Sequence, residues 1–170
     1  MKARDLVEKL ALQSHPEGGW YREIHRARGR VQAERGSRSA LTTIYYLLEQ
    51  QQLSRWHVVE SDEVWHFYTG APLELLEYDP ATGRLVQHVL GDVRQGNEAV
   101  AVIPPGAWQA ARSREDWSRS GGDVPSGDYS LVGCTVGPGF EFEDFRFVKA
   151  LPGHEGHFKD GALARFMDLL

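Results

Sequence analysis

WHVVESDEVWHFYTG, from Trp56 to Gly70, reads as two short β strands around the polar turn ESD. His57 is followed six positions on by Glu63, and Gly70 comes seven positions after that. In a barrel, an imidazole near the end of one strand and a carboxylate at the start of the next converge on one interior point, and the glycine allows the sharp turn that follows. Alternation from Glu63 sends Trp65 and Phe67 inward and puts His66 and Tyr68 on the opposite face.

The flanking sequence continues this pattern. Upstream, LTTIYYLL (Leu41 to Leu48) is rich in branched and aromatic residues, and its near-continuous apolarity predicts burial on both faces. Trp20 to His25 also reads as a strand and is followed by a polar loop of arginines and glycines. Downstream come LELLEY, the turn DPATG, RLVQHVLG, AVAVIPPG, WQAAR, YSLVGCTV and EFEDFRFV, each a strand-sized run bounded by glycine, proline or polar residues. Ser113 to Asp128 is rich in glycine and serine and reads as a loop. A short helix carrying Leu6, Val7 and Leu10 precedes the strands and ends at HPEGG. At the other end, Leu163, Phe166, Met167 and Leu170 form a helical apolar stripe. The expectation is an all-β domain over residues 1–150, with its N-terminal helix, and a C-terminal helical extension over 151–170.

The 170 residues suit one domain with a substantial core. Eighteen glycines and eight prolines supply the turns that many short strands need. A formal charge of -5 and a pI near 5.8 argue against a protein built to grip nucleic acid. The arginines from Arg22 to Arg38 read as a solvated hairpin or as an attractor for an anionic ligand. No run is long enough to span a bilayer. The lone Cys134 lies in an apolar run and cannot form an internal disulfide, so a reducing cytoplasmic setting is expected.

These residues resemble the cupin superfamily, whose first motif has a glycine, His-x-His, a glutamate and a glycine, and whose second has Pro-x-Gly followed by a histidine. His57, Glu63 and Gly70 match the first motif, and Pro104 and Gly106 match the second. Val59 stands where the second histidine of the first motif belongs, and Gln109 stands where the histidine of the second motif belongs. Five blocks, HPEGGWYREIHR, ALTTIYYLL, SDEVWHFYTGAPLEL, PPGAWQAAR and CTVGPGFEFEDF, are together similar to the cupin branch DUF985, or Cupin_5. That resemblance implies a double-stranded β-helix, or jelly-roll barrel. It also implies a homodimer and a pocket like that of the sugar-nucleotide epimerases.

The residues themselves leave three functions open for a small-molecule site. In the first, His57 is the base of a sugar or nucleotide-sugar epimerase or isomerase, with Glu63 as its hydrogen-bonded orienting partner. In the second, the same pocket binds or senses a metabolite without transforming it. In the third, His57, Glu63 and Gln109 hold a divalent metal. No cofactor is expected, because one imidazole and one carboxylate form a thin ligand set and valine cannot ligate. Ligand contacts are expected from Glu17, Tyr21, Arg22 and Glu23, from Trp65, Phe67 and Gln109, and from Phe140 and Phe142, with His66 as a second choice. Each also has a purely structural reading, as turn, core or outer-face residue.

Overall fold

The computed structural model describes residues 2–114, 128–159 and 162–170, and among these described residues the branched and aromatic runs punctuated by glycine and proline form thirteen strands. Helix α1 (Ala3–Lys9) leads to β1 (Gln13–Ser14), β2 (Trp20–Arg26), the hairpin β3 (Arg30–Ala33) and β4 (Gly36–Ser39), and β5 (Thr42–Glu49). Next come β6 (Leu53–Val59), β7 (Asp62–Gly70), β8 (Leu73–Asp79), β9 (Arg84–Leu90), β10 (Val100–Ile103), β11 (Trp108–Ser113), β12 (Tyr129–Gly137) and β13 (Phe145–Phe147). Helix α2 (His154–Lys159) follows. The loop expected between Ser113 and Asp128 lies, over residues 115–127, outside the described residues.

Two antiparallel sheets face each other, ordered β1-β2-β5-β12-β7-β10 and β13-β6-β11-β8-β9. This is the jelly-roll arrangement that the strand pattern predicts. Between them, Tyr46, Leu48, Trp65, Leu73, Leu75, Ile103 and Val132 form the central core. Each such buried side chain contributes about 1.5–3 kcal/mol, an upper bound given the compactness of real unfolded chains. Strand β5 buries both faces as expected. Tyr46 and Leu48 point into the core, while Leu47 joins a second cluster with Ala3 and Leu6 of α1.

The outer face of the five-stranded sheet is covered by the C-terminal segment. Trp56, Val58, Leu76, Tyr78 and Trp108 pack against Phe158, Leu163, Phe166 and Leu169. Two polar bonds pin this layer, Trp56 Nε1 donating to the Phe166 carbonyl at 3.2 Å and the Tyr78 hydroxyl meeting His157 Nδ1 at 2.8 Å.

Two local expectations need correction. The expected C-terminal stripe is not an α-helix: Ala164–Leu169 is a 3₁₀ helix, and the α-helix is α2. Its three-residue repeat buries Leu163, Phe166 and Leu169, leaving Met167 58% exposed. EFEDFRFV is a strand only at β13, because Phe142–Asp144 forms a 3₁₀ turn that directs Asp144 inward to Arg38, with bonds of 2.8 and 3.0 Å. Among the described residues no helix is long and apolar enough to cross a membrane.

Candidate functional site

A cavity of about 150 Å³ opens between the sheets. Strand alternation determines most of its lining. Registers between β2, β5, β12 and β7 put Tyr21 and Glu23 on the same face as Tyr46, Ile44, Cys134 and Glu63, all directed between the sheets. On β6, His57 and Val59 point inward, and Trp56 and Val58 pack outward under the tail. A bulge between Glu23 and His25 advances the alternation by one residue, so Arg26 reaches the cavity and His25 does not.

His57 is almost wholly buried and is held from three sides. Its Nδ1 lies 2.7 Å from the Arg55 carbonyl, which can only accept, so Nδ1 carries a proton. Its Nε2 lies 3.2 Å from Glu17 Oε2, and the ring stacks on Phe145 with centroids 5.2 Å apart. Burial pushes the His57 pKa down and the Glu17 pKa up. A proton on either Nε2 or Oε2 would join the two groups, and burial disfavours the charged form of each.

Glu17 reaches this position because HPEGG folds back over β6. The Arg55 amide donates to the Glu17 carbonyl at 3.1 Å, Tyr46 Oη donates to the Gly18 carbonyl at 2.8 Å, and Ser54 Oγ donates to Glu17 Oε1 at 2.9 Å. Gly18 has φ +116° and lies so close to the Leu53 carbonyl that a Cβ would collide with it. The Glu17 amide also donates to His15 Nδ1 at 3.3 Å, placing a second imidazole in the wall, and burial lowers its pKa.

Glu63 has a separate support. Trp65 Nε1 donates to Gln109 Oε1 at 3.0 Å, which orients the amide so that Gln109 Nε2 donates to Glu63 Oε2 at 2.6 Å. Burial raises the Glu63 pKa to about 6, and the nearby His57 opposes that rise. Burial and the Glu63 charge push the neighbouring Cys134 thiol well above its ordinary pKa.

The structure thus brings together His57, Glu63, Glu17, Tyr21, Glu23, Phe140 and Phe142 at one cavity. It corrects the expected His57–Glu63 hydrogen bond, because His57 pairs with Glu17 and Glu63 with Gln109. Arg22 is on the outer face, its guanidinium 5.8 Å from the Tyr45 ring centre, since alternation turns it away from Tyr21 and Glu23. His66 is on that same outer face, paired opposite Val100 and Gly133. Trp65 and Phe67 point inward but pack into the core beyond the cavity, and Gln109 supports Glu63 without lining the space.

Among the lining residues that the expected set does not contain are His15, Arg26, Glu141 and Phe145. Glu141 could have been found from its place between Phe140 and Phe142, whereas His15 enters the wall through the non-local return of HPEGG over β6. The bulge that turns Arg26 inward leaves no signal in the sequence. The expected metal set does not fit. Gln109 is committed through both its oxygen and its nitrogen, Val59 has no donor, and among the described residues no group of three His, Cys, Asp or Glu side chains has metal-holding geometry.

Comparison with known proteins places this geometry among relatives. The family described as "Cupin superfamily (DUF985)", Cupin_5, matches residues 4–148. A hypothetical protein from Leishmania major is 32% identical with a TM-score of 0.77, over 95% of this chain and 99% of its own. A protein from Shewanella oneidensis is 30% identical with a TM-score of 0.74, over 92% of each chain. A cupin-2 domain protein from Rhodospirillum rubrum, 11% identical with a TM-score of 0.59 over 94% of this chain and 88% of its own, shares the fold. Among curated proteins, none matches the chain.

Proposed function

Since the chain belongs to the Cupin_5 (DUF985) family of the cupin superfamily, we propose that its barrel mouth binds a small polar metabolite and moves a proton on it, as an isomerase or epimerase does. The observation that carries this reading is the pair of differently tuned groups at the buried end of the cavity. Glu63 gives up its proton near pH 6 and stands as a carboxylate at neutral pH, while Glu17 and His57 hold one proton between them. Glu63 is the base and the Glu17–His57 pair is the acid, in place of a His57 base oriented by Glu63.

The step is redox-neutral. Glu63 takes a proton from the carbon beside a carbonyl, and the C–H electron pair moves into the enolate while the carbonyl oxygen is met by the proton of the Glu17–His57 pair. Delivery of the proton to the opposite face of that carbon gives the epimer, delivery to the former carbonyl carbon gives the isomer, and the enol proton goes back to the Glu17–His57 pair. A cavity of about 150 Å³ suits a guest the size of a single sugar, so any nucleotide portion of a nucleotide-sugar would lie outside it. The reading is tested by extracting and identifying the metabolite that co-purifies and measuring its interconversion. His57→Ala and Glu63→Gln should each abolish turnover while the circular dichroism spectrum is kept. Unchanged turnover in both variants would remove the assignment.

A second reading, a binding or sensing protein without chemistry, is favoured by one observation. Among the described residues, no buried side-chain nitrogen or oxygen lacks a hydrogen-bond partner, so the site is self-satisfied without a guest. Homodimerisation belongs to the same proposal. The apolar β5 is covered within the chain, so the motive for pairing shifts to Tyr68, Val100 and Val102, exposed on the outer face of the six-stranded sheet and its β10 edge. A cytoplasmic setting rests on the single buried thiol.

A further inference from the structure

We propose that the guest of this cavity is a small organic cation, an amine- or ammonium-bearing metabolite, and not a phosphate- or carboxylate-bearing one. The inference rests on the cavity being a ligand site and narrows its guest from a neutral sugar or nucleotide-sugar to an amine- or ammonium-bearing compound of single-sugar size.

The first ground is charge. Glu17, Glu23, Glu63 and Glu141 line the cavity, whereas among the described residues Arg26 is its one lining residue with a permanent positive charge. Leaving aside Glu17, which faces His57 at 3.2 Å, three carboxylates stand against one guanidinium among the described residues. That guanidinium is already engaged. Arg26 Nε and Nη2 bind Glu23 at 3.1 and 2.8 Å, Nη1 binds Glu141 at 2.7 Å, and Nη2 also donates to the Phe140 carbonyl at 3.1 Å. A phosphate would have to displace a carboxylate to reach it. Other arginines of the 22–38 stretch are also committed: Arg35 and Arg38 hold Asp144, and Arg22 lies outside the barrel. An anion entering this space meets the Glu63 carboxylate in a desolvated setting, where like charges repel strongly.

The second ground is an available acceptor. Glu63 is 7% exposed and lines the cavity, and only one of its oxygens receives a hydrogen bond from a nitrogen or oxygen donor among the described residues. The Cys134 thiol, a weak donor, also hydrogen-bonds Glu63, and an ammonium N–H aimed at the carboxylate competes with it by making a stronger, charge-assisted hydrogen bond.

The third ground is the wall. Phe140, Phe142 and Phe145 line the cavity, with Phe140 in edge-to-face contact with both neighbours at centroid distances of 5.2 and 6.3 Å. None of the three belongs to a buried core cluster, and Phe142 is 55% exposed. Aromatic faces beside carboxylates attract a cation with an apolar body more strongly than they attract a neutral polyol.

The test compares choline, small enough for the cavity, with its uncharged isostere in which carbon replaces nitrogen, and with inorganic phosphate, by calorimetry at matched ionic strength. Choline should bind at least about tenfold more tightly than the isostere, and phosphate should not bind. Phe142→Leu, at an exposed position that leaves the core untouched, and Glu63→Gln should each shrink the choline preference. Equal binding of the isostere, binding of phosphate, or no binding of choline would overturn the proposal. Proton exchange on the co-purifying metabolite is read separately. Exchange without a choline preference sinks the charge class alone, and a choline preference without exchange sinks the catalytic reading alone.

Discussion

His57 Nε2 and Glu17 Oε2 lie 3.2 Å apart although the two residues sit on different elements, one on β6 and the other in the HPEGG turn. Because Nδ1 is committed to the Arg55 carbonyl, Nε2 is the ring nitrogen that faces Glu17. Nitrogen-15 NMR of His57 should show a protonated Nδ1 across the pH range in which the fold persists. His57→Ala leaves the buried Glu17 carboxyl without this partner and should cost about 1–3 kcal/mol in urea denaturation. A loss near zero would mean that the pair is not formed.

Glu63 carries a pH signature of its own. Its pKa in the fold is about 6, raised from the ordinary 4.5, so the folded state holds this proton more tightly than the unfolded chain does. Stability from this group is therefore fully present below about pH 4.5 and is lost as pH rises through 6, by roughly 2 kcal/mol. Glu63→Gln removes the desolvated charge and keeps an acceptor for Gln109. Urea titrations at pH 5 and pH 7.5 should find the variant more stable than wild type at the higher pH only. A variant weaker at both values would contradict the raised pKa.

Gly70 ends β7 with φ +104°, and a Cβ there would strike the Tyr129 carbonyl on β12. Gly70→Ala should destabilise by at least about 1–2 kcal/mol, from the left-handed backbone alone. Thermal unfolding checks this. An unshifted midpoint would show that β7 can end in another conformation.

The C-terminal layer should be part of the folding unit. Leu163 is fully buried against the outer face of the five-stranded sheet, and Leu163→Ala should cost about 2–5 kcal/mol. A change under about 0.5 kcal/mol would mean that this layer does not stay docked in solution.

Assembly through the six-stranded sheet is tested by Val102→Lys. Val102 is 50% exposed on β10 and points to the face opposite its core neighbours Ala101 and Ile103. Light scattering should find a dimer for wild type and a monomer for the variant. A wild-type monomer at micromolar concentration would remove the assembly.

Much of the fold was legible in the strand runs, since period-two alternation and glycine or proline stops are local signals, and β2, β5 and β7 fall where those signals put them. The same alternation correctly turned Glu63, Trp65 and Phe67 inward and His66 outward. It failed where pairing became non-local. Nothing in the order of residues says that HPEGG folds back to set Glu17 against His57, because the bonds that do so come from β6 and Tyr46. The bulge that brings in Arg26, and the 3₁₀ turn that ends the run of alternating phenylalanines, likewise depend on partners more than a hundred residues away in some cases, Glu141 and Asp144 among them.

Solvent-deuterium incorporation at the carbon beside the carbonyl of the co-purifying metabolite puts the proton-transfer account to its sharpest test. Wild-type protein in heavy water should incorporate deuterium there, with a rate that rises as pH passes through about 6, and Glu63→Gln should show none. A bound metabolite that keeps its hydrogen with wild-type protein, or loses it equally fast with Glu63→Gln, would contradict the account.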